Sequence, residues 1–231
     1  MDLVGEAITQ AGRLIVSGDA ELRRIAGLSL AVSGLATLLA ALVGVPLGAA
    51  LHLGRVPGRG VATVLVNTGM GLPPVVVGLL ITILLWRSGP LGPLRLLFTP
   101  PAMVLAQFIV AMPIVAGLTR AALALLDPEI TAALRADGAA EPRVAWELAR
   151  AARAQVLVAV AAGFGRAIAE VGASLMVGGN IVGQTRILTT AIALETGKGE
   201  FALALALGAI LLLLAFLVNA ALGWGQRSVA G

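Results

Sequence analysis

The chain contains no cysteine, no tyrosine and a single histidine, His52. Without cysteine, neither a disulfide, nor a thiolate metal site, nor cysteine-based catalysis is possible. One histidine provides no Ser–His dyad near Ser174 and no HExxH zinc motif, and the sequence has no GxxxxGK[ST] loop for ATP. We therefore expect no enzyme, no metal site and no resident cofactor. Aromatic residues are only 3% of the chain and do not alternate with a basic patch, so nucleic-acid binding is not expected.

Charged residues are also scarce, at 12% of the chain, whereas soluble domains carry about 25%. The chain is 59% hydrophobic, and its mean hydropathy is +1.00. So few charges cannot cover a surface that faces water. The apolar runs exceed the roughly 18 residues of a spanning helix and do not alternate as barrel strands do. This composition predicts an all-α integral membrane protein in contact with lipid.

Five apolar runs are long enough to cross a membrane, and we expect them to form a single transmembrane domain over residues 1–231. The runs are residues 25–53, 61–86, 101–126, 154–177 and 201–224. Residues 1–24 have apolar side chains at helical spacing and predict an interfacial helix, followed by Ser17-Gly18-Asp19 as a turn or helix cap.

Polar and helix-breaking residues interrupt the first two spans. Ser29, Ser33 and Thr37 recur every four residues in the first span, which favours close helix packing over the alternative of a polar pathway lining. The second span contains Asn67 and the pair Pro73-Pro74, which predict a kink. The kink either lines a pathway or is a structural bend, because freed carbonyls at membrane depth need protein or water around them.

Residues 127–153 form the one long charged segment between spans. Asp127-Pro128 is a favourable helix start, Gly138 a helix end, and Pro142 the start of a second helix. Two short amphipathic helices joined by a glycine turn favour a docking element, with a solvated loop as the alternative.

The fourth span carries charge at membrane depth. Arg166 and Glu170 are four residues apart, share a helix face and are predicted to pair, either to orient the bundle or to act at a pathway or gate. We expect this helix to run to Gly178-Gly179-Asn180 and to break there. A polar run with Thr185 and Arg186 follows.

Five spans place the termini on opposite sides of the membrane. One side carries eight arginines against seven basic residues on the other, or four without the interfacial segment. The positive-inside rule then places residues 127–153 and the C-terminus in the cytoplasm, and the N-terminus outside. The eight are Arg55, Arg59, Arg120, Arg135, Arg143, Arg150, Arg153 and Arg227.

Two stretches resemble a known family. Residues 132–139, Ala-Ala-Leu-Arg-Ala-Asp-Gly-Ala, resemble the coupling loop of permease subunits of ATP-binding-cassette importers, although the family usually has Glu at the position of Ala132. Residues 163–180 and 185–192, together with residues 67–74 and 87–92, are similar to tungstate permeases of the molybdate/tungstate group.

The resemblance implies a type I importer permease in a prokaryotic inner membrane. It implies a homodimer, two cytoplasmic ATPase subunits that bind the ATP, and an extracytoplasmic oxyanion-binding protein. It implies that the ATPase-coupling residues are Ala132, Ala133, Leu134, Asp137, Gly138 and Ala139. It assigns to the translocation pathway or gate Asn67, Pro73, Pro74, Arg166, Glu170, Ser174, Asn180, Thr185, Arg186, Thr189 and Thr190.

Alternatives remain open at this point. The chain could be a permease for another oxyanion or small solute, or a secondary transporter or channel that works alone. No inverted repeat is visible, and five spans are few for a self-contained transporter. Between Gly172 and Leu194 there are polar donors and no Asp or Glu, as a dianion pathway requires. The competing interpretation is that these side chains only satisfy broken backbone.

Overall fold

The computed structural model describes residues 3–17, 19–54 and 57–230, and these ranges are helical apart from short connections. A 3₁₀ turn, Gly92–Leu94, precedes α5. The helices are α1 Leu3–Val16, α2 Ala20–Leu53, α3 Arg59–Met70, α4 Pro74–Leu85, α5 Pro100–Leu123, α6 Pro128–Ala136, α7 Glu141–Ala151, α8 Arg153–Ile168, α9 Gly172–Gly178, α10 Leu188–Gly197 and α11 Phe201–Ala230.

The predicted all-α membrane fold is confirmed. In the described residues, α2, α5 and residues 201–224 of α11 are each long and apolar enough to cross a membrane. Two further pairs of helices are long and apolar enough only when the two members are taken together, and each pair is bent: α3 with α4 by 106° and α7 with α8 by 83°. The structure therefore has three spans, or five when each bent pair counts as one.

Helices α2 and α5 run parallel and form the centre of the bundle. A Cβ on Gly44 would lie 3.0 Å from the carbonyl oxygen of Met112, and one on Gly48 would lie 2.5 Å from that of Ala116. The contacted residues on α5 rise in number as the residue number rises along α2, so the two helices run in the same direction. Because parallel spans need a return crossing between them, α3 and α4 together cross the membrane in the opposite direction.

Two of the expected spans differ from the prediction. The second is broken rather than kinked, since α3 ends at Met70 and α4 begins at Pro74 with a bend of 106° between them. The fourth was expected to be continuous to Gly178. Instead α8 ends at Ile168, and α9 begins at Gly172. Residues 188–197 form α10, a helix that the polar run did not predict.

Helix caps fix the start of α2 and α6. The Asp19 carboxylate accepts a hydrogen bond from the Leu22 amide at 2.7 Å, and Asp127 accepts one from Glu129 at 2.9 Å. Each bond satisfies an amide that the first helical turn leaves unpaired. The predicted cap at Asp19 is confirmed. Gly18 lies outside the described residues, and so do two members of the arginine count, Arg55 and the side chain of Arg227.

The two-helix arrangement of residues 127–153 is confirmed. Helix α6 ends before Gly138, which adopts the left-handed backbone with φ +77° that glycine takes without strain. Pro142 lies in the first turn of α7, where its missing amide costs no helical hydrogen bond. The inner face of α7 carries Val144 and Leu148, which pack with Leu123 beside the C-terminal ends of α2 and α5.

Candidate functional site

The break between α3 and α4 (the first break) and the break between α8 and α9 (the second break) meet each other inside the bundle. A Cβ on Gly172 would lie 2.7 Å from the Cγ2 of Val75, and one on Gly78 would lie 2.7 Å from the Cα of Ala173. The first turns of α4 and α9 therefore approach each other with almost no side chain between them. Both helices begin at these breaks, so the second and fourth spans are interrupted side by side.

The breaks lie near the middle of the long helices. The end of α3 packs on α5, where a Cβ on Gly69 would lie 2.8 Å from the ring of Pro113. Just before the second break, Ala167 lies in one cluster with Ala40 and Ala111, which are central in α2 and α5. Interrupted backbone at this depth is tolerated only where protein or a water-filled cavity satisfies it.

Glu170 fills the break between α8 and α9. Its side chain is 2% exposed, and its Oε1 accepts a hydrogen bond from the Ala173 amide at 2.9 Å. Its Oε2 accepts from the Arg166 guanidinium at 3.2 Å, and its carbonyl oxygen accepts from the Thr189 hydroxyl at 2.9 Å. One buried residue thus caps α9, pairs with α8 and holds α10.

The predicted contact between Arg166 and Glu170 is present, but the two sides of the pair differ in environment. The Arg166 side chain is 31% exposed, whereas Glu170 is nearly inaccessible. Arg166 belongs to the last turn of α8, and Glu170 lies beyond the end of that helix. The pair therefore links the two halves of the broken span. Its role at a gate stays a prediction.

The hydroxyl groups of the polar run are buried and engaged with nearby backbone. The Thr185 hydroxyl donates to the Gly178 carbonyl oxygen at 2.5 Å and accepts from the Ile181 amide at 3.0 Å. Thr190 lies 3.1 Å from both the amide and the carbonyl of Ile187 at the start of α10. These bonds satisfy backbone amide and carbonyl groups in turns and at helix ends. They agree with the alternative interpretation, in which the hydroxyls only satisfy broken backbone.

Ser174 forms part of a polar contact between α9 and α5. Its hydroxyl accepts from the Gln107 amide nitrogen at 3.1 Å, and both side chains are fully buried. The side-chain oxygen Oε1 of Gln107 has no hydrogen-bond partner among the described residues. A buried acceptor of this kind has a desolvation cost of about 1–3 kcal/mol.

Arg186 and Asn180 lie in the turn between α9 and α10. The Arg186 guanidinium is 3.4 Å from the Glu21 carboxylate, and the Arg24 guanidinium donates to the carbonyl oxygen of Gly183. This turn is therefore fixed to the first turns of α2. Arg186 pairs there with an acid, whereas Thr189 bonds Glu170 at the second break.

The first break, between α3 and α4, positions the remaining predicted pathway residues. Pro73 lies at the N-cap of α4 with extended backbone, and Pro74 is the first residue of that helix. Asn67 lies on an exposed face of α3, one turn before that helix ends. An exposed amide in a membrane-spanning segment favours a surface covered by protein or water over one covered by lipid.

The predicted coupling residues divide between the two sides of α6. None of the residues of α6, all of which are described, is buried. Ala132, Ala133, Asp137 and Gly138 are exposed, whereas Leu134 and Ala139 are half-buried against α7. Arg135 binds both carboxylate oxygens of Glu141 at 3.0 and 3.2 Å and joins α6 to α7.

Two residues that hold this arrangement were not among the predicted site residues. Ser29 accepts a hydrogen bond at 2.8 Å from the amide of Leu188, the first residue of α10, and Gln107 holds α9. The four-residue spacing of hydroxyls in α2 was the available signal for Ser29. A lone amide in an apolar run was the signal for Gln107.

Comparison with known proteins places this arrangement in a family. Residues 30–231 match the family described as "Binding-protein-dependent transport system inner membrane component". A probable anion ABC transporter permease protein of Haloferax volcanii is 44% identical over 201 residues, which are 85% of this chain and 87% of that protein.

Two further relatives have more specific names. The tungstate uptake system permease protein TupB of Peptoclostridium acidaminophilum is 38% identical over 220 residues, 95% of this chain and 96% of that protein. The molybdenum transport system permease protein ModB of Escherichia coli is 29% identical over 183 residues, 75% and 80% of the two chains. The match over residues 30–231 and the similarity over most of the chain establish that it belongs to the family of binding-protein-dependent transport system inner membrane components.

Proposed function

We propose that this chain is the permease subunit of an ATP-driven importer for tungstate or a molybdate-like oxyanion. The observation that carries the proposal is the exposed helix pair α6–α7 at the ends of two parallel spans, in a chain 38% identical to a tungstate uptake permease. Membership of a binding-protein-dependent family favours a subunit of an assembly over a transporter or channel that works alone.

In this assembly α6 is the ATPase docking helix. The exposed residues Ala132 and Ala133 of α6, with Asp137 at its C-cap, form the docking surface, and the turn at Gly138 returns the chain to the bundle. The chain itself has no Walker loop, so two partner ATPase subunits bind the ATP, and no cofactor belongs to this chain. The α6–α7 face is then cytoplasmic, with the C-terminus on the same side and the N-terminus outside.

A continuous set of contacts can carry a movement of α6 into the membrane. Arg135 and Glu141 join α6 to α7. Val144 and Leu148 of α7 pack beside the ends of α2 and α5, and α8 follows α7 after one residue. At its other end, α8 connects through Glu170 to α9 and α10. ATPase closure that displaces α6 would therefore shift the half-helices at the two breaks.

The passage for the ion lies between two copies of the chain in this proposal. Asn67 is exposed on α3 near the first break, where contact with hydrocarbon would leave its amide unsatisfied. A second copy and a water-filled passage would satisfy it. The buried hydroxyls are largely engaged within the subunit, so we assign ion selection to the extracytoplasmic binding protein and a low-affinity passage to the permease.

A second candidate is the same machine with a different oxyanion. It is supported by the relative that is 44% identical and named only as a probable anion permease. The transport mechanism is unchanged in this case, because tungstate, molybdate and sulfate are all tetrahedral dianions. The two candidates differ only in the ion that the binding protein delivers.

Uptake by cells tests the proposal. Cells that lack the gene and cells that carry it are supplied with tungstate at low concentration, and intracellular tungsten is measured by mass spectrometry. We expect accumulation only with the gene, and competition by excess molybdate but not by excess sulfate. Accumulation of sulfur from sulfate without any response to tungstate or molybdate would overturn the substrate assignment. Uptake that persists without the ATPase subunits would overturn the importer assignment.

A further inference from the structure

An apolar groove opens where α7 meets the membrane-spanning helices. It has a volume of about 690 Å³ and is bounded by α2, α7 and α8. Representative lining residues are Leu42, Pro46, Leu53, Ala145, Trp146 and Val160. Glu141 is the one charged residue among the described residues that line it, and Arg135 engages both of its carboxylate oxygens. The walls therefore present hydrocarbon to whatever occupies the groove.

The groove lies at the depth of one membrane leaflet. Arg24 and His52 mark the polar ends of α2, and 28 residues of helix between them span about 42 Å, the thickness of a bilayer with its headgroups. The lining residues of α2 extend from Ala41 to Leu53, which is about 18 Å along the axis. The groove thus reaches from the bilayer centre to the headgroup level on the side of α6 and α7.

Its mouth has the chemistry of an anionic membrane surface. Trp146 is 68% exposed at the edge of the groove, and tryptophan is enriched at headgroup depth. Arg143 and Arg150 are exposed on the same face of α7, three residues before and four residues after Trp146. Arginine guanidinium groups bind phosphate oxygens through paired hydrogen bonds.

We propose that this groove binds an anionic phospholipid, with an acyl chain along α2 and the phosphate against Arg143 and Arg150. Charge complementarity favours this occupant over a second copy of the chain, because Arg143 and Arg150 share a single neighbouring acid, Glu147, and keep a net positive charge that an apolar protein helix in the groove would not balance. Because α7 is joined to α6, the bound lipid would hold the docking helix in place. That consequence rests on the proposed coupling function, whereas lipid binding itself does not.

The test uses the complete transporter assembly, purified in detergent and passed through delipidation. Native mass spectrometry then counts the phosphatidylglycerol molecules that remain bound to the assembly. Phosphatidylcholine is added for comparison, and its bound molecules are counted in the same way. Ala145→Phe fills the groove from α7, and Leu42→Trp fills it from α2, where the Leu42 side chain is 62% exposed. Ala209→Phe on an exposed position of α11 is the matched control.

We expect the wild-type assembly and the control to retain phosphatidylglycerol and both groove variants to lose it at least five-fold. Arg150→Gln should remove the preference for phosphatidylglycerol over phosphatidylcholine, whereas Arg87→Gln, outside the groove, should not. Unchanged retention in both groove variants would overturn the proposal. So would efficient cross-linking of a cysteine at position 145 to a second copy or to an ATPase subunit in native membranes. The number of bound lipids does not depend on which ion is transported. The lipid proposal can therefore be refuted while the proposed transport function stands, and the reverse.

Discussion

Arg166→Gln is expected to destabilise the protein more than Glu170→Gln, although the two residues form one ion pair. The reason is their unequal burial, because Glu170 is 2% exposed and Arg166 is 31% exposed. Removing the arginine leaves a buried carboxylate with the Ala173 amide as its remaining side-chain partner among the contacts described here. Removing the negative charge leaves a guanidinium that is partly exposed and can reach water in the proposed passage.

The magnitudes follow from these environments. Breaking a buried pair costs about 3–5 kcal/mol when a charge remains uncompensated, and because Arg166 is partly exposed, the expected cost of Arg166→Gln is about 3 kcal/mol. Glu170→Gln retains an oxygen that can accept from Ala173 and should cost about 1 kcal/mol. The double variant carries no buried charge and should cost about 1–2 kcal/mol, less than the sum of the single changes.

Unfolding in mixed micelles with increasing denaturing detergent measures these differences. Three tryptophans provide the fluorescence signal, and the apparent free energy of unfolding is compared among wild type, the two single variants and the double variant. Equal costs for the single variants would refute the argument from burial. Additive costs in the double variant would show that the two side chains do not interact in the folded protein.

Three further predictions concern packing and topology. Ser29→Ala should lower the free energy of unfolding by about 1–3 kcal/mol, since its hydroxyl accepts from the first amide of α10, and an unchanged value would contradict that bond. Gly48→Ala should lower the melting temperature more than Gly34→Ala, because a Cβ at Gly48 would lie 2.5 Å from a carbonyl oxygen while one at Gly34 would have nothing within 4 Å. Equal melting temperatures would refute the close packing of α2 on α5. Cysteines replacing Ala140 and Ser88 should be labelled by impermeant reagents from opposite faces of the membrane, and labelling from one face would exclude the proposed topology.

The sequence was most informative where local chemistry decides structure. The apolar runs predicted the long helices because burial in lipid requires continuous hydrocarbon surface and internally bonded backbone. Asp19 and Asp127 predicted helix starts because their carboxylates accept bonds from amides of the first turn. Gly138 predicted the turn between α6 and α7 because glycine enters the left-handed region without a Cβ clash.

The break between α8 and α9 depends on contacts between distant residues and was less accessible from the sequence than the break at Pro73-Pro74. The three residues between α8 and α9 are Ala169, Glu170 and Val171. None of them is a glycine or a proline, so they gave no helix-breaking signal in the sequence. That break is stabilised by Glu170 bonds to Arg166, Ala173 and Thr189, the last of which lies in α10. The start of α10 likewise depends on Ser29, 159 residues away. Such partners become apparent only when the helices are assembled.

ATP hydrolysis by the reconstituted assembly tests the central claim most directly. The permease, its ATPase subunits and the oxyanion-binding protein are placed in lipid nanodiscs, and phosphate release is measured with the binding protein empty or loaded with tungstate. The account predicts that tungstate raises the turnover several-fold, and that Gly138→Glu in the α6–α7 turn abolishes this rise while the chain still inserts and assembles with its binding protein. A rise that is unaffected by Gly138→Glu would contradict coupling through α6.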